Sequence, residues 1–332
     1  MANLWKPMLA AKPDPKELDA TLEKLFTLGR TWLASPKLDG IRVTVQNGRL
    51  YSRSLKLIPN KAMQQLWGRE ELDGLDGEVI VGSPTAEDCI NRSTSVVMSR
   101  DKPADDATFN IFDCYDEMEP FEIRLSNATS TADQRPFMNL AGNHSTTERF
   151  IRRVPHTVIK TLEQLASYEG KQTGLGHEGI MLRDPIGAYK HGRSTVKEGG
   201  LIAVKRFVDA EAVVIGTYEQ MENTNQRVVN ELGKMKRSSH KAGKVGKGTL
   251  GGFTVRPLAC ACEACLRDRS EACLRQFSIG TGQGLTDAVR LELWKKRNTL
   301  PGKIIKFRYQ LIGTKDAPRQ PIFLGWRDPR DL

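Results

Sequence analysis

The sequence lacks long apolar runs and is poor in cysteine. No stretch approaches the roughly 18 apolar residues of a membrane span, and residues 1–9 contain no apolar signal-peptide region. Six cysteines in 332 residues are too few for a disulfide framework, so Cys89 and Cys114 are predicted to be buried thiols. We therefore expect a cytoplasmic protein that has no membrane partner.

Basic residues outnumber acidic residues in this sequence. The formal net charge is +10, which favours a nucleic acid partner, and the chain has no glycine-rich P-loop for phosphates. From Leu232 to Cys262 there is no Asp or Glu. We predict a flexible cationic loop there that follows a phosphate backbone, with a merely solvated loop as the alternative. Its basic residues are Lys234, Lys236, Arg237, Lys241, Lys244 and Lys247.

The remaining cysteines crowd into one short segment: Cys260, Cys262, Cys265 and Cys273. Four thiolates in one loop suit a tetrahedral structural Zn²⁺ site. Their spacing matches no standard zinc finger or ribbon, so free thiols in a surface insertion at residues 258–275 are the alternative.

Residues 37–42 read Lys-Leu-Asp-Gly-Ile-Arg, a K-x-D-G-x-R motif. Phosphoryl transfer without a P-loop needs a nucleophile, a metal ion and fixed cations on the oxygens being displaced. Lys37 is the candidate nucleophile, because an amine attacks phosphorus once it is unprotonated. The motif therefore indicates a lysine that carries a nucleotide covalently.

Further short motifs follow the lysine motif in order. Together they resemble the ATP-dependent polynucleotide ligases, especially the small two-domain DNA ligases of phages and bacteria, and the resemblance covers nearly the whole chain. The motifs are Ser52-Arg53, Asp76-Gly77-Glu78-Val79, Phe109-Asn110-Ile111-Phe112-Asp113, Glu178-Gly179-Ile180-Met181, Val204-Lys205-Arg206-Phe207 and Pro318-Arg319-Gln320-Pro321-Ile322-Phe323.

The patterning predicts an α+β protein with two domains. Alternation around Asn47-Gly48 predicts a β-hairpin, and strands and helices alternate up to Phe207. Five short strands and one helix then suit a small closed barrel. The resemblance implies the same division: a nucleotidyltransferase domain with antiparallel sheets flanked by helices at residues 1–208, and an oligonucleotide-binding-fold β-barrel at residues 209–332.

The resemblance also implies roles for single residues. Lys37 would attack ATP, with Arg42 and Lys205 assisting catalysis, and Phe112 would stack on adenine. Glu78 and Glu178 each precede an apolar strand, and such carboxylates suit Mg²⁺ or Mn²⁺. The implied nucleotide-binding residues are Arg42, Arg53, Glu78, Phe112, Glu178, Lys205 and Arg319, and Arg53 is also expected to contact DNA at the nick phosphate.

The hairpin gives an independent argument for a phosphate site. A two-residue turn at Asn47-Gly48 fixes the pairing of its strands. Counting outward, Arg42 falls opposite Arg53. Because like charges directly opposite each other are destabilising, the register predicts that the two arginines flank a shared anion.

One position departs from the family pattern. Many members carry a second lysine two residues before the one matched by Lys205, and here that position is Ala203. Alternate strand residues share a face, so the missing cation would have stood beside the phosphate. Lys197 and Arg206 are the nearest replacements in sequence.

The resemblance implies ATP-dependent sealing of 5′-phosphate/3′-hydroxyl nicks in duplex DNA, through a lysyl-AMP intermediate and a DNA-adenylate. We expect a monomer of the bacterial cytoplasm or of a phage, with nicked duplex DNA as its partner. An RNA ligase or a capping-type guanylyltransferase is the nearest alternative, although the closing Pro318–Phe323 block favours a DNA ligase. A catalytically weakened nick-binding protein is the alternative from another class.

Overall fold

The computed structural model describes residues 4–27, 29–115, 118–134, 151–229, 235–238, 240–258, 276–282, 285–310, 318–328 and 330. Within the chain two compact units are distinguished, Met1–Arg206 and Phe207–Leu332. Across the described ranges, no helix is long and apolar enough to cross a membrane.

The first unit alternates short strands and helices. Its elements are α1 (Leu18–Thr27), β1 (Trp32–Pro36), β2 (Ile41–Gln46), β3 (Arg49–Ser52), α2 (Lys61–Trp67), β4 (Leu75–Val81), α3 (Cys89–Val97), β5 (Ala107–Cys114), α4 (Phe121–Gln134), β6 (Ile151–Arg153), β7 (Thr157–Ile159), α5 (Leu162–Gly174), β8 (Ile180–Arg183) and β9 (Leu201–Val204).

These strands form two sheets, each with its own core. A four-stranded antiparallel sheet has the order β7-β1-β8-β9, and a five-stranded sheet has the order β3-β2-β4-β5-β6, in which only β5 and β6 are parallel. The first sheet packs Trp32 and Ile202 against Phe26 of α1. The second sheet buries Val79 with Trp67 of α2. Burial of these side chains removes apolar surface from water, which stabilises each sheet against its helices.

Local sequence signals explain where the helices begin. The Asn60 side chain accepts a hydrogen bond from the N–H of Met63 and so caps α2. Thr161 caps α5 in the same way through the N–H of Gln164. Each cap satisfies a backbone N–H that the first helical turn leaves without a partner.

The second unit is a closed five-stranded barrel with strand order β10-β13-β14-β16-β15. Its core includes Phe253, Phe307 and Phe323. The predicted α+β class, with antiparallel sheets in the first unit and a small barrel in the second, is confirmed. The elements are β10 (Val208–Asn223), β11 (Arg227–Val229), β12 (Met235–Arg237), β13 (Lys244–Pro257), β14 (Phe277–Gly280), α6 (Asp287–Lys295), β15 (Ile304–Gln310) and β16 (Arg319–Arg327).

The predicted cationic loop is wrong where the structure describes it. β10 and β13 pair as far as Asn223 and Lys244, and β11 pairs with β12 between them. Backbone hydrogen bonds that a loop would leave to water are thus made between strands. We call residues 219–229 and 235–250 the basic arm. Lys234 and the Lys236 side chain lie outside the described residues, as do Cys260, Cys262, Cys265 and Cys273.

Candidate active site

Strand register brings the predicted catalytic residues together at one edge of the four-stranded sheet. The last residues of β1 and β9 both pair with Ile180 of β8. Lys37 directly follows β1, Lys205 directly follows β9, and Glu178 lies two residues before Ile180. The Lys37 N–H donates to the Gly179 carbonyl at 2.9 Å, which extends the pairing by one residue. Residues far apart in sequence therefore share one sheet edge.

Close approach of the strands requires glycine at position 179. A Cβ atom there would lie 2.3 Å from the Val204 carbonyl oxygen and 3.2 Å from Cα of Lys205. Both neighbours are backbone atoms, which cannot move aside as a flexible side chain can. The glycine of the Glu-Gly pair thus allows Lys205 to stand beside Glu178.

The Glu178 carboxylate binds two lysines. One oxygen forms an ion pair with the Lys37 ammonium, and the other lies 3.4 Å from Lys205 Nζ. The Glu178 side chain is 4% exposed, so water screens these charges weakly. Burial lowers the pKa of Lys205, Glu178 opposes that effect, and the Lys37 charge adds to it. Two ammonium groups against one carboxylate leave an excess of positive charge, which suits a phosphate.

Asp76 fixes the guanidinium of Arg42 in the five-stranded sheet. The fully buried carboxylate accepts from Arg42 Nε at 2.9 Å and from Nη2 at 2.5 Å. It also accepts from the Tyr189 hydroxyl at 2.6 Å, and Arg42 Nη1 donates to the Met8 carbonyl at 2.6 Å. A two-pronged arginine–carboxylate pair holds the guanidinium in one orientation. Its position is therefore set before any ligand binds.

Gly40 links the two sheets within the lysine motif. The chain passes from the end of β1 to the start of β2 between Lys37 and Arg42. A Cβ atom at position 40 would lie 2.4 Å from the Val79 carbonyl oxygen. The motif thus needs glycine because its backbone at position 40 lies directly against β4.

Glu78 lies opposite Arg42 in the β2–β4 ladder. Burial raises the pKa of Glu78 to about 7, although the Lys37 and Arg42 charges and a hydrogen bond from the Gly40 backbone favour its ionised form. A carboxyl group with such a pKa titrates near neutral pH, which is common in active sites. Glu78 thus interacts electrostatically with Lys37, which follows β1 of the four-stranded sheet, and with Arg42 of the five-stranded sheet.

Phe112 in β5 offers a partly buried ring beside this cluster. The Arg42 guanidinium carbon lies 5.0 Å from the ring centroid, a cation–π contact. The arrangement agrees with an aromatic platform next to fixed positive charge. Adenine stacking on Phe112 stays a prediction.

Three buried charges join the two sheets, and sequence reasoning misses their roles. Asp113, which ends the Phe109–Asp113 motif, accepts from Arg124 Nε at 2.9 Å and also binds Arg183 Nη2. Arg124 lies in α4 and Arg183 in β8, so one carboxylate connects elements of both sheets. The only sequence signal is a charged residue at the end of an apolar strand.

The hairpin has the predicted register, but its ladder ends one residue before the predicted arginine pair, and a shared anion between the two arginines stays a prediction. Pairing between β2 and β3 stops at Val43 and Ser52. Leu55 then adopts a left-handed conformation with φ of 58°, and its N–H donates to the Ser52 carbonyl in a turn. Arg53 is exposed in that turn, while Arg42 binds Asp76. A nucleotide-binding role for Arg53 stays a prediction.

In the second unit, the predicted binding residues lie on strands and at the surface. Arg319 begins β16, where it pairs with Gln310 of β15. In the basic arm, Lys241, Lys244 and Lys247 are exposed, which leaves their ammonium groups accessible to an anionic partner.

The described residues contain no group of three His, Cys, Asp or Glu side chains placed to hold a metal ion. Mg²⁺ commonly takes only one or two carboxylates, with substrate phosphates and water as its other ligands. Glu178 and Glu78 fit that kind of site.

Family models cover most of the chain. A model described as ATP dependent DNA ligase domain matches residues 7–198, more than half of the chain, and one described as DNA ligase OB-like domain matches residues 261–327. The structure of Chlorella virus DNA ligase-adenylate is 26% identical with a TM-score of 0.50, and the match covers 98% of this chain and 100% of that one. A structure from a study of Lig E DNA ligases, 21% identical, shares the fold with a TM-score of 0.64 over 98% of this chain and 100% of that one. No curated protein matches the sequence.

Proposed function

Because this chain belongs to the ATP-dependent DNA ligase family, we propose that it seals 5′-phosphate/3′-hydroxyl nicks in duplex DNA with AMP carried on Lys37. The observation that supports this most strongly is the ion pair between Lys37 and Glu178 beside Lys205, at the edge where β1 and β9 end and β8 begins. A nucleophile and fixed cations within one site are what nucleotidyl transfer requires.

In the first step, the unprotonated Lys37 amine attacks the α-phosphorus of ATP. A nitrogen–phosphorus bond forms, the bond to the β-phosphate oxygen breaks, and pyrophosphate leaves. Glu178 orients the amine, and Lys205 neutralises charge on the phosphate oxygens as it develops. Cations held in place before the reaction need no reorganisation during it, which lowers the barrier.

The five-stranded sheet would hold the nucleoside. Arg42 is fixed by Asp76 and lies against Phe112, so a flat ring and a fixed cation face the same region. Phe112 stacks on adenine, Glu78 meets the ribose, and Arg42 and Arg53 contact phosphate oxygens. Arg319 assists the first step by orienting pyrophosphate.

Glu178 and Glu78 would together hold Mg²⁺ or Mn²⁺, which when bound neutralises charge on the phosphates. Both carboxylates belong to the cluster that surrounds Lys37.

The second and third steps use the nick. The 5′-phosphate attacks the AMP phosphorus, the bond to Lys37 breaks, and a DNA-adenylate forms. The 3′-hydroxyl then attacks the 5′-phosphate, a phosphodiester bond forms, and AMP leaves. The basic arm, with exposed Lys241, Lys244 and Lys247, contacts backbone phosphates of the duplex.

Labelled nucleotides test this function directly. The protein is incubated with α-labelled ATP or GTP, digested, and analysed for labelled peptides, and the labelled protein is then offered nicked DNA or nicked RNA. We expect label from ATP on the peptide that contains Lys37, and its transfer to nicked DNA. Label from GTP instead would indicate a capping-type guanylyltransferase, and transfer only to RNA would indicate an RNA ligase. Nick binding without any label would indicate a catalytically weakened binding protein.

A further inference from the structure

The N-terminal segment is joined to β9, the last strand of the four-stranded sheet, by a β-bridge. The Ala11 N–H donates to the Leu201 carbonyl at 2.8 Å, and the Ala203 N–H donates to the Ala11 carbonyl at 3.0 Å. These two bonds make a parallel bridge between Ala11 and Ile202 of β9. The segment therefore runs beside β9 in the same direction and ends at the same edge of the sheet.

Strand alternation places Lys12 on the face of the active site. Ala11 and Ile202 both belong to the apolar core of this sheet, so the residues that follow them, Lys12 and Ala203, face the other way. Lys12 precedes Pro13, and a residue before proline is restricted to extended conformations. Lys205 shares the face of Ala203, and neighbouring strands lie only about 4.8 Å apart. Lys12 thus lies beside Ala203 and diagonally from Lys205 on the same face of the sheet.

The electrostatics of Lys205 agree with this placement. Burial lowers the pKa of Lys205, Glu178 counteracts that effect, and the charges of Lys37 and Lys12 lower it further. Lys12 is exposed, so it can reach a ligand in solution. Lys12 therefore lies within electrostatic range of Lys205, which shares the Glu178 carboxylate with Lys37.

Lys197 and Arg206 are the candidate replacements for the family's second lysine. Neither of them is suitably placed. Arg206 donates to Glu169 at 3.0 Å and to Asp19 at 2.9 Å, on the helical side of the sheet. Lys197 precedes Leu201 and so lies at the opposite end of β9 from Lys205. Ala203 itself is 9% exposed and carries no charge.

We propose that Lys12 is a further phosphate-binding residue, which supplies beside Lys205 the positive charge that Ala203 lacks and binds the triphosphate of ATP. The proposal rests on the proposed function, because it assigns a ligand group to the same site. Lys12 acts in the first step, where ATP binds and pyrophosphate leaves.

Single-turnover adenylation of Lys37, measured over a range of ATP concentrations, tests this role. Lys12→Ala should lower the apparent second-order rate constant for ATP roughly tenfold, as expected for the loss of one charge-assisted phosphate contact. Lys16→Ala, an exposed lysine four residues further along, is the matched control and should behave as the parent. Lys12→Arg should retain the rate, and Ala203→Lys in the Lys12→Ala background should restore it.

Sealing of a pre-adenylated nick by Lys12→Ala should match the parent, because that step needs no ATP. The proposal is overturned if Lys12→Ala and Lys16→Ala adenylate equally fast, or if neither Lys12→Arg nor Ala203→Lys preserves the rate. A defect confined to the pre-adenylated nick would also overturn it, because Lys12 would then serve DNA. If the parent itself formed no adenylate, the proposed function would fail instead.

Discussion

The Lys37 ammonium forms an ion pair with the Glu178 carboxylate, although 141 residues separate the two in the chain. Pairing of β1 with β8 creates this contact, and the Lys37 N–H bond to Gly179 ties the two backbones together. The backbone of the candidate nucleophile is therefore held in place by the sheet.

Gly179→Ala should impair both adenylation and folding. The new Cβ atom would meet the Val204 carbonyl oxygen, so β9 and Lys205 must move away from Glu178. We expect a loss of about 1–3 kcal/mol in the free energy of unfolding, by urea titration, and at least tenfold slower adenylation. Gly170→Ala in α5 is the control, because a Cβ atom added there would meet nothing within 4 Å and alanine favours a helix. Equal behaviour of the two variants would remove the packing role of Gly179.

Glu78→Gln should change how stability depends on pH. The pKa of Glu78 is about 7 in the folded protein and 4.5 is its ordinary value, so folding favours the protonated form. Between those values the unfolded chain has released the proton while the folded protein keeps it, and the stability from this group is lost as pH rises to about 7. Relative to the parent, Glu78→Gln should gain about 1–2 kcal/mol of unfolding free energy between pH 4 and pH 8, after allowance for solvent screening.

Urea titrations at the two pH values measure this gain. Glu87→Gln, at an exposed position, is the control and should follow the parent at both. If the unfolding free energy changed equally with pH in Glu78→Gln and in the parent, the Glu78 carboxyl group would have its ordinary pKa.

Lys205→Ala should nearly abolish self-adenylation. Lys205 is a partly buried cation beside Glu178 and has no charged equivalent at Ala203, so the loss should reach about a hundredfold. Lys197→Ala, at an exposed position beyond the other end of β9, is the control. If Lys205→Ala adenylated as fast as the parent in single-turnover measurements, the alignment of β9 and Lys205 with the family's lysine motif would be wrong.

Alanine at Lys244 and Lys247 should weaken binding to nicked duplex DNA and reduce its salt dependence. Each lost phosphate contact lowers the slope of log K against log salt by roughly 0.9. Lys295→Ala, in α6 and paired with Glu292 at 3.0 Å, should leave the slope unchanged. Fluorescence anisotropy at several salt concentrations gives the slopes, and an unchanged slope in the double variant would remove the basic arm from the DNA interface.

Local patterns are enough to predict much of the fold. Asn47-Gly48 fixes the hairpin register, and alternation in the second half of the chain predicts the barrel strands. These features depend on neighbours in sequence, which patterning reports directly. The prediction that Cys89 and Cys114 are buried thiols is likewise confirmed.

Features set by contacts distant in sequence could not be predicted. The Asp113 carboxylate binds Arg124 and Arg183, and the second partner lies 70 residues away. The turn that contains Arg53 depends on a left-handed Leu55, a conformation that leucine rarely adopts. The position of Lys12 follows from a bridge to β9 that no local pattern reveals.

The most direct test of Lys37 as the AMP carrier uses Lys37→Ala with two substrates. With labelled ATP, the variant should form no protein adenylate, because the attacking amine is gone. With a nick that already carries AMP on its 5′-phosphate, it should still join the strands, because the third transfer does not use the amine. Protein adenylate at the parent's level in Lys37→Ala would contradict the mechanism.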